Sequence, residues 1–326
     1  MFWRAGALIA ASLLSLRLST CRSPGEGGKG PDPAPEAAEL VELPKVDTSG
    51  LRAREKREWS SAVSEFLAPC PDQPVSLAVC VKESRDCKAC APAARFLVKQ
   101  VQKGKTRSQV EAAFKKRFSP SEVKQITIDG SPEKGAPNAA VVIVEWADFE
   151  CPFCARTAPL LDSLVERYSS DVKLVFKNYP LAIHKNAEKA ARASMAAARQ
   201  EKFWAMHRAL FERHPKPLDA TGLQEAARAA GLDMRRFREE LDSEPVADAV
   251  ARDRKQGDAL GLEGTPLIYI NGRHFDLDYF DVGEDLEDWV RLEAELVTGK
   301  APSPKPQAPA APSASVPAPA PPEPGE

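Results

Sequence analysis

Two cysteines separated by two residues, Cys151-Pro152-Phe153-Cys154, stand between an apolar run, Val141-Val142-Ile143-Val144-Glu145-Trp146, and a helical pattern from Thr157 to Val165. The first run reads as a strand and the second as a helix. A strand that feeds a helix through this tetrapeptide puts the first thiol at the helix N-terminus, where unpaired amide N–H groups stabilise an anion. A thiolate is such an anion, so Cys151 is expected to ionise easily and to react as a nucleophile. Pro152 falls in the first helical turn, where its missing N–H costs no hydrogen bond and its fixed φ suits the helix. The segment therefore points to thiol–disulfide exchange. A purely structural disulfide, which rarely spans two residues at a strand-to-helix turn, and half of a metal site are the competing readings. Zinc would need two more Cys or His ligands, and no second pair lies nearby in this unit, so no metal is expected.

The N-terminus reads as an export signal, with Arg4 as its positive region and Ala5 to Leu16 as an apolar run too short to span a membrane. Leu18-Ser19-Thr20-Cys21 resembles the bacterial lipoprotein cleavage box, with Cys21 as the lipidated residue; ordinary cleavage near Thr20 is the alternative. Seven cysteines fit an exported chain in an oxidising compartment, and lipidation of Cys21 would leave six, an even number. The formal net charge is −2, with acids and bases interspersed, so the basic block of a nucleic-acid binder is missing. The expected location is the periplasm or cell envelope, with membrane contact only through the lipid.

Composition divides the chain. Residues 1–21 are the signal and cleavage box, and residues 22–50, rich in Gly, Pro, Glu and Ala, read as a disordered linker. Residues 51–124 form a small helical region carrying Cys70, Cys80, Cys87 and Cys90, with Gly104 ending one helix and Thr106 or Ser108 capping the next. Residues 125–300 form the main unit. Its expected strands are Ile126-Thr127-Ile128, Ala140 to Trp146, Val172 to Phe176 and Leu267 to Ile270. Asn271-Gly272 then signals a hairpin turn to a partner strand from Arg273 to Leu277. A helical block runs from about Asn186 to Leu260, and a last helix from Leu286 to Leu296. Residues 301–326 are a Pro/Ala-rich tail, expected to be disordered.

The main unit resembles the thioredoxin fold, and more closely the DsbA-like branch of bacterial periplasmic disulfide oxidoreductases. Four matches carry this: the Cys151-Pro152-Phe153-Cys154 motif in its context; Pro159, eight residues after the first cysteine; Glu145, six residues before it; and Gly264-Thr265-Pro266-Leu267-Ile268-Tyr269, which matches the family's cis-proline strand. The helical block before Pro266 resembles the insertion that separates DsbA-like proteins from plain thioredoxins. The fold class implied is α/β: a thioredoxin-like fold with a helical insertion, preceded by a small cysteine-containing helical unit.

The resemblance assigns roles. Cys151 would form the mixed disulfide with a substrate, and Cys154 would be the buried resolving thiol. Pro266 would sit against the pair, and Pro152, Phe153 and Thr265 would border bound substrate. Glu145 would be a buried carboxyl relaying protons to Cys154, its pKa raised by burial, with Lys177 as a candidate partner. Phe153 stands where the strongest oxidants of the family carry His, and Thr265 resembles the Thr of isomerases and some oxidases. Both features favour a less oxidising disulfide. The activity implied is disulfide formation in cysteine pairs of exported proteins, with re-oxidation by a quinone-linked membrane partner of the DsbB or VKOR kind and no soluble cofactor. An isomerase or reductase, or a non-redox chaperone of the envelope, are the alternatives.

Two structural disulfides among Cys70, Cys80, Cys87 and Cys90 are the default for an exported unit of this size. A second redox centre at Cys87-Lys88-Ala89-Cys90 and a four-cysteine zinc site are the other readings, and sequence does not choose among the three pairings. His184 lies at the mouth of the helical block. A surface or capping role is expected for it and for His207, His214 and His274. The stripe Met195, Phe203, Trp204, Met206, Leu210, Phe211 reads as core of the insertion.

Overall fold

A computed structural model describes residues 40–305. Cys21, the signal segment, the linker before residue 40 and the tail beyond residue 305 lie outside the described residues. The run Val141–Ala147 forms strand β2, the centre of a five-stranded sheet in the order β1-β3-β2-β4-β5. The other strands are β1 (Glu133–Gly135), β3 (Val172–Asn178), β4 (Leu267–Ile270) and β5 (Arg273–His274). β2 and β3 are parallel; β1–β3, β2–β4 and β4–β5 pair antiparallel.

Alternation along the strands fixes which side chains meet. On one face Val141 and Ile143 of β2 and Val172 and Leu174 of β3 pack with helix α5 (Pro152–Arg167) and helix α11 (Leu286–Thr298). On the other face Val144, Trp146 and Val175 pack with Tyr179, Leu262 and Tyr269. Every residue of β3 is buried, as expected of a parallel strand covered on both sides. The Asn271-Gly272 turn has both residues at positive φ, 47° and 77°, which Asn and Gly tolerate best.

Five helices fill the connection between β3 and β4: α6 (Ala187–Ala198), α7 (Phe203–Glu212), α8 (Ala220–Ala229), α9 (Met234–Leu241) and α10 (Glu244–Ala259). Their core includes Ala190, Ala193, Met206, Leu210, Leu223, Phe237 and Val246, joined to Cys154 of α5 and Phe176 of β3. The stripe expected to be core is core, although Trp204 is only partly buried.

Before the sheet, α1 (Ala53–Glu65), α2 (Leu77–Lys82), α3 (Cys90–Gln102) and α4 (Arg107–Phe118) build a second core around Trp59, Leu77, Leu97 and Val101. Gly104, at φ 68°, follows the end of α3. Thr106 caps α4, with Gln109 returning the bond to the Thr106 N–H. Disulfides join Cys70 to Cys87 and Cys80 to Cys90. The two parts share packing: Ala113 of α4 lies in the core under β2, and Leu292 of α11 packs on the helical core. A buried ion pair, Arg117–Glu293 at 2.5 Å, crosses between them.

Several expectations change. Ile126-Thr127-Ile128 is not a strand: the Thr127 carbonyl is occupied by the Lys177 ammonium at 2.9 Å and the Gln256 amide at 3.1 Å, so it does not join the sheet ladder. The edge strand is instead Glu133–Gly135, a polar segment without the apolar pattern that marks buried strands. The partner strand after the turn ends at His274 rather than Leu277. Part of the expected linker is packed, because Leu43 is buried in the helical core and the Val41 N–H donates to Ser60 Oγ at 3.0 Å. At the start of the tail, the Lys305 N–H donates to the Arg167 carbonyl at 2.8 Å. Among the described residues, no helix is long and apolar enough to cross a membrane.

Candidate active site

The carboxyl end of β2 and the start of α5 bring the two cysteines together. Cys151 occupies the N-cap position in extended geometry, and Pro152 is the first helical residue. The preceding turn is held by Asp148, whose carboxylate accepts from the Glu150 N–H at 2.8 Å and whose carbonyl accepts from the Cys151 N–H at 3.1 Å. The same carboxylate reaches the segment after β3, accepting from the Leu181 N–H at 2.8 Å and from His184 Nδ1 at 2.7 Å. Glu150 accepts from the Asn186 N–H and side-chain amide at 2.7 and 2.8 Å. Two acids thus clamp residues 181–186 to the turn that presents Cys151. Neither was singled out in the sequence. Their signal was position, immediately before the motif, in an otherwise apolar stretch.

Thr265-Pro266 is a cis peptide bond preceding β4. It brings the Thr265 carbonyl to 3.3 Å from Cys151 Sγ, which donates to it. Pro266 is buried, Thr265 and Pro152 are partly exposed, and Phe153 is 60% exposed with the Arg156 guanidinium 4.6 Å over its ring. Cys151 is only 3% exposed and Cys154 fully buried, and both are free thiols here.

The two thiols sit in opposite environments. The Cys151 pKa is lowered to about 5. The hydrogen bond from Cys154 is the largest cause; Thr265 and the backbone N–H groups of Cys154 and Phe153 add to it, and burial opposes. Cys154 is pushed well above the ordinary thiol range by burial first, then by Cys151 and by the charge of Glu145.

Glu145 lies on the α5 face of β2, fully buried, and neither carboxylate oxygen has a hydrogen-bond partner among the described residues. Burial and then the Asp162 charge raise its pKa to about 8, while Lys134 opposes. Lys134 of β1 is ion-paired to Asp162 of α5 and lies 4.4 Å over the Trp204 ring. Lys177 is not the partner of Glu145. Glu145 pairs with Phe176 in the β2–β3 register, so Lys177, one residue on, points to the opposite face. There its ammonium meets Asp253 at 3.5 Å.

The expectation for His207 is also overturned. It is 1% exposed within α7, ringed by Phe149, Phe176, Phe203 and Phe211, and neither ring nitrogen has a partner among the described residues. Burial lowers its pKa to about 3. Its spacing four residues after Phe203 and four before Phe211 was the available signal. His274 stacks on Tyr269 at 5.3 Å.

A thiol of lowered pKa at a helix start, a buried second thiol, a buried carboxyl and a cis-proline strand are the arrangement shared with thioredoxin-like thiol–disulfide oxidoreductases. The family model described as Thioredoxin matches residues 127–288 of this chain. A Na(+)/H(+) antiporter NhaA 1 of Mycolicibacterium gilvum is 37% identical over 143 residues. That match covers 43% of this chain, and the chain spans only 23% of the antiporter's length. Among solved structures, a thioredoxin-like oxidoreductase from Silicibacter pomeroyi is 29% identical, with a TM-score of 0.45, covering 50% of this chain and 91% of that one. BdbD from Bacillus subtilis is 25% identical, with a TM-score of 0.47, covering 53% and 97%.

Proposed function

We propose that the protein is an exported oxidant of cysteine pairs in other exported proteins. The observation that carries this is the opposed environment of the two thiols. A disulfide oxidises well when its reduced form is stabilised, and an acidic Cys151 held by its neighbours is such a stabilisation. In the oxidised protein, a substrate thiolate attacks Cys151 Sγ. A mixed disulfide forms, the Cys151–Cys154 bond breaks, and its electron pair leaves on Cys154. Buried beside Glu145, Cys154 takes up a proton. Glu145 holds one at neutral pH and can donate it, later recovering it from solvent. A second substrate thiolate then attacks the substrate sulfur, and Cys151 departs as a stable thiolate. Pro152, Phe153, Thr265 and Pro266 border the approach to Cys151.

The two disulfides of the helical unit support an oxidising compartment, in keeping with a periplasmic or envelope location and a lipid anchor at Cys21. A quinone-linked membrane partner of the DsbB or VKOR kind would restore the Cys151–Cys154 disulfide. The test follows reduced, unfolded ribonuclease mixed with the oxidised full chain. Stoichiometric formation of substrate disulfides, lost in Cys151→Ser, is expected. Rescue of scrambled ribonuclease by the reduced form alone would instead mean an isomerase. Aggregation suppression that survives Cys151→Ser would mean a chaperone.

A further inference from the structure

Three sulfur atoms converge in the helical unit. Sγ of Cys80, Cys87 and Cys90 lie within 4.8 Å of one another, although Cys87 is bonded to Cys70 and Cys80 to Cys90. The two disulfides therefore lie side by side. The turn before α3 enforces this: the Cys90 N–H donates to the Cys87 carbonyl at 3.1 Å, folding the Cys87-Lys88-Ala89-Cys90 segment back on itself. Access is graded. Cys80, Cys87 and Cys90 are 1%, 8% and 3% exposed, whereas Cys70 is partly exposed. An external thiolate meets Cys70 first.

We propose that these four cysteines form a second thiol–disulfide exchange centre, which takes an electron pair from an external dithiol through Cys70 and passes it inward through Cys87. The donor's thiolate attacks Cys70 Sγ; the Cys70–Cys87 bond breaks, and its electron pair leaves on Cys87. That thiolate is released within reach of both sulfurs of the neighbouring Cys80–Cys90 disulfide. It bonds to Cys80 and expels Cys90, which lies in the first turn of α3, where unpaired N–H groups favour an anionic leaving group. The donor's second thiolate then attacks its own sulfur in the mixed disulfide and releases Cys70. One external dithiol becomes a disulfide. Its two electrons and two protons reside on the Cys70 and Cys90 thiols, and a Cys80–Cys87 disulfide remains. The centre does not need Cys151 or Cys154. Two isolated structural cross-links would not need their sulfurs within 4.8 Å of one another.

The test is a redox titration of the full-length Cys151→Ser/Cys154→Ser variant in glutathione buffers, with acid quenching, alkylation and mapping of disulfides by mass spectrometry. The expected intermediate has two of these four cysteines alkylated, Cys70 and Cys90, with Cys87 joined to Cys80. Wild-type chain mapped the same way gives the same readout should the double variant not fold, because Cys151 and Cys154 are scored separately. In Cys70→Ser, where Cys87 is permanently free, the oxidised protein should contain Cys87 bonded to Cys80 or Cys90 alongside the Cys80–Cys90 form. Three results would overturn the proposal: both native pairs opening together as the helical signal is lost, an intermediate alkylated at Cys70 and Cys87 with Cys80–Cys90 intact, or a Cys70→Ser protein holding only Cys80–Cys90.

Discussion

Replacing Cys154 with Ala tests the electrostatics of the site at its largest contribution. Cys151 titrates at about 5, and the hydrogen bond from Cys154 is the main cause of the lowering. A hydrogen bond to a charged group contributes roughly 1.5–3 kcal/mol, and one pKa unit corresponds to about 1.4 kcal/mol. Loss of the bond should therefore raise the Cys151 pKa by about 1–2 units, with the low end favoured because sulfur is a weak donor. Cys154→Ser keeps a donor and should shift it less. The pH dependence of thiolate absorbance and of alkylation rate measures this directly. An Ala variant still titrating near 5 would assign the whole effect to the amide N–H groups of the helix start and refute the role given to Cys154. The same shift fixes a stability profile. A depressed thiol pKa stabilises the reduced fold fully above the ordinary thiol range, and the gain is lost as pH falls towards 5.

Further predictions follow from the buried charges. Glu145 is raised to about 8, so the unfolded chain ionises it first and stability falls as pH rises from the ordinary carboxyl range to 8. Glu145→Gln should therefore gain stability of order 4 kcal/mol at pH 8 and little at acid pH, read from denaturant midpoints, while release of Cys154 slows. His207 is lowered to about 3, so its contribution is lost as pH falls from its ordinary value near 6.5. His207→Leu should be the more acid-stable protein, by roughly 3 kcal/mol at pH 4, in urea unfolding. Glu293→Ala leaves the Arg117 guanidinium buried and unpaired. It should cost about 3–5 kcal/mol in the same assay, whereas Arg117→Met with Glu293→Leu should cost far less.

What the sequence made legible was local. The strand-to-helix context of Cys151, the proline at the first helical turn, the Asn271-Gly272 turn and the apolar stripe of α7 each follow from neighbours within a few residues. What it hid was register and distance. Whether Lys177 or Lys134 approaches Glu145 depends on how β1 and β2 each align with β3, and a shift of one residue reverses the face. β1 went unseen because an edge strand of Glu, Lys and Gly has no apolar period. The pairing of Cys70, Cys80, Cys87 and Cys90 is set by how α2 and α3 pack, which spacing alone does not encode. His207 was readable from its helical spacing and was missed because an imidazole is usually exposed.

The reduction potential of the Cys151–Cys154 pair in the full chain is the most direct test of the central claim. It should be measured in glutathione buffers with alkylation mapping, so that the N-terminal disulfides are scored apart. Thioredoxin, with a nucleophile pKa of about 7, has a potential near −270 mV; a pKa of about 5 stabilises the reduced pair a further ~50-fold at pH 7, or about 50 mV. A value of about −220 mV or less negative is expected. A value at or below about −270 mV would contradict the claim, because the acidic Cys151 would then lend the disulfide no oxidising power.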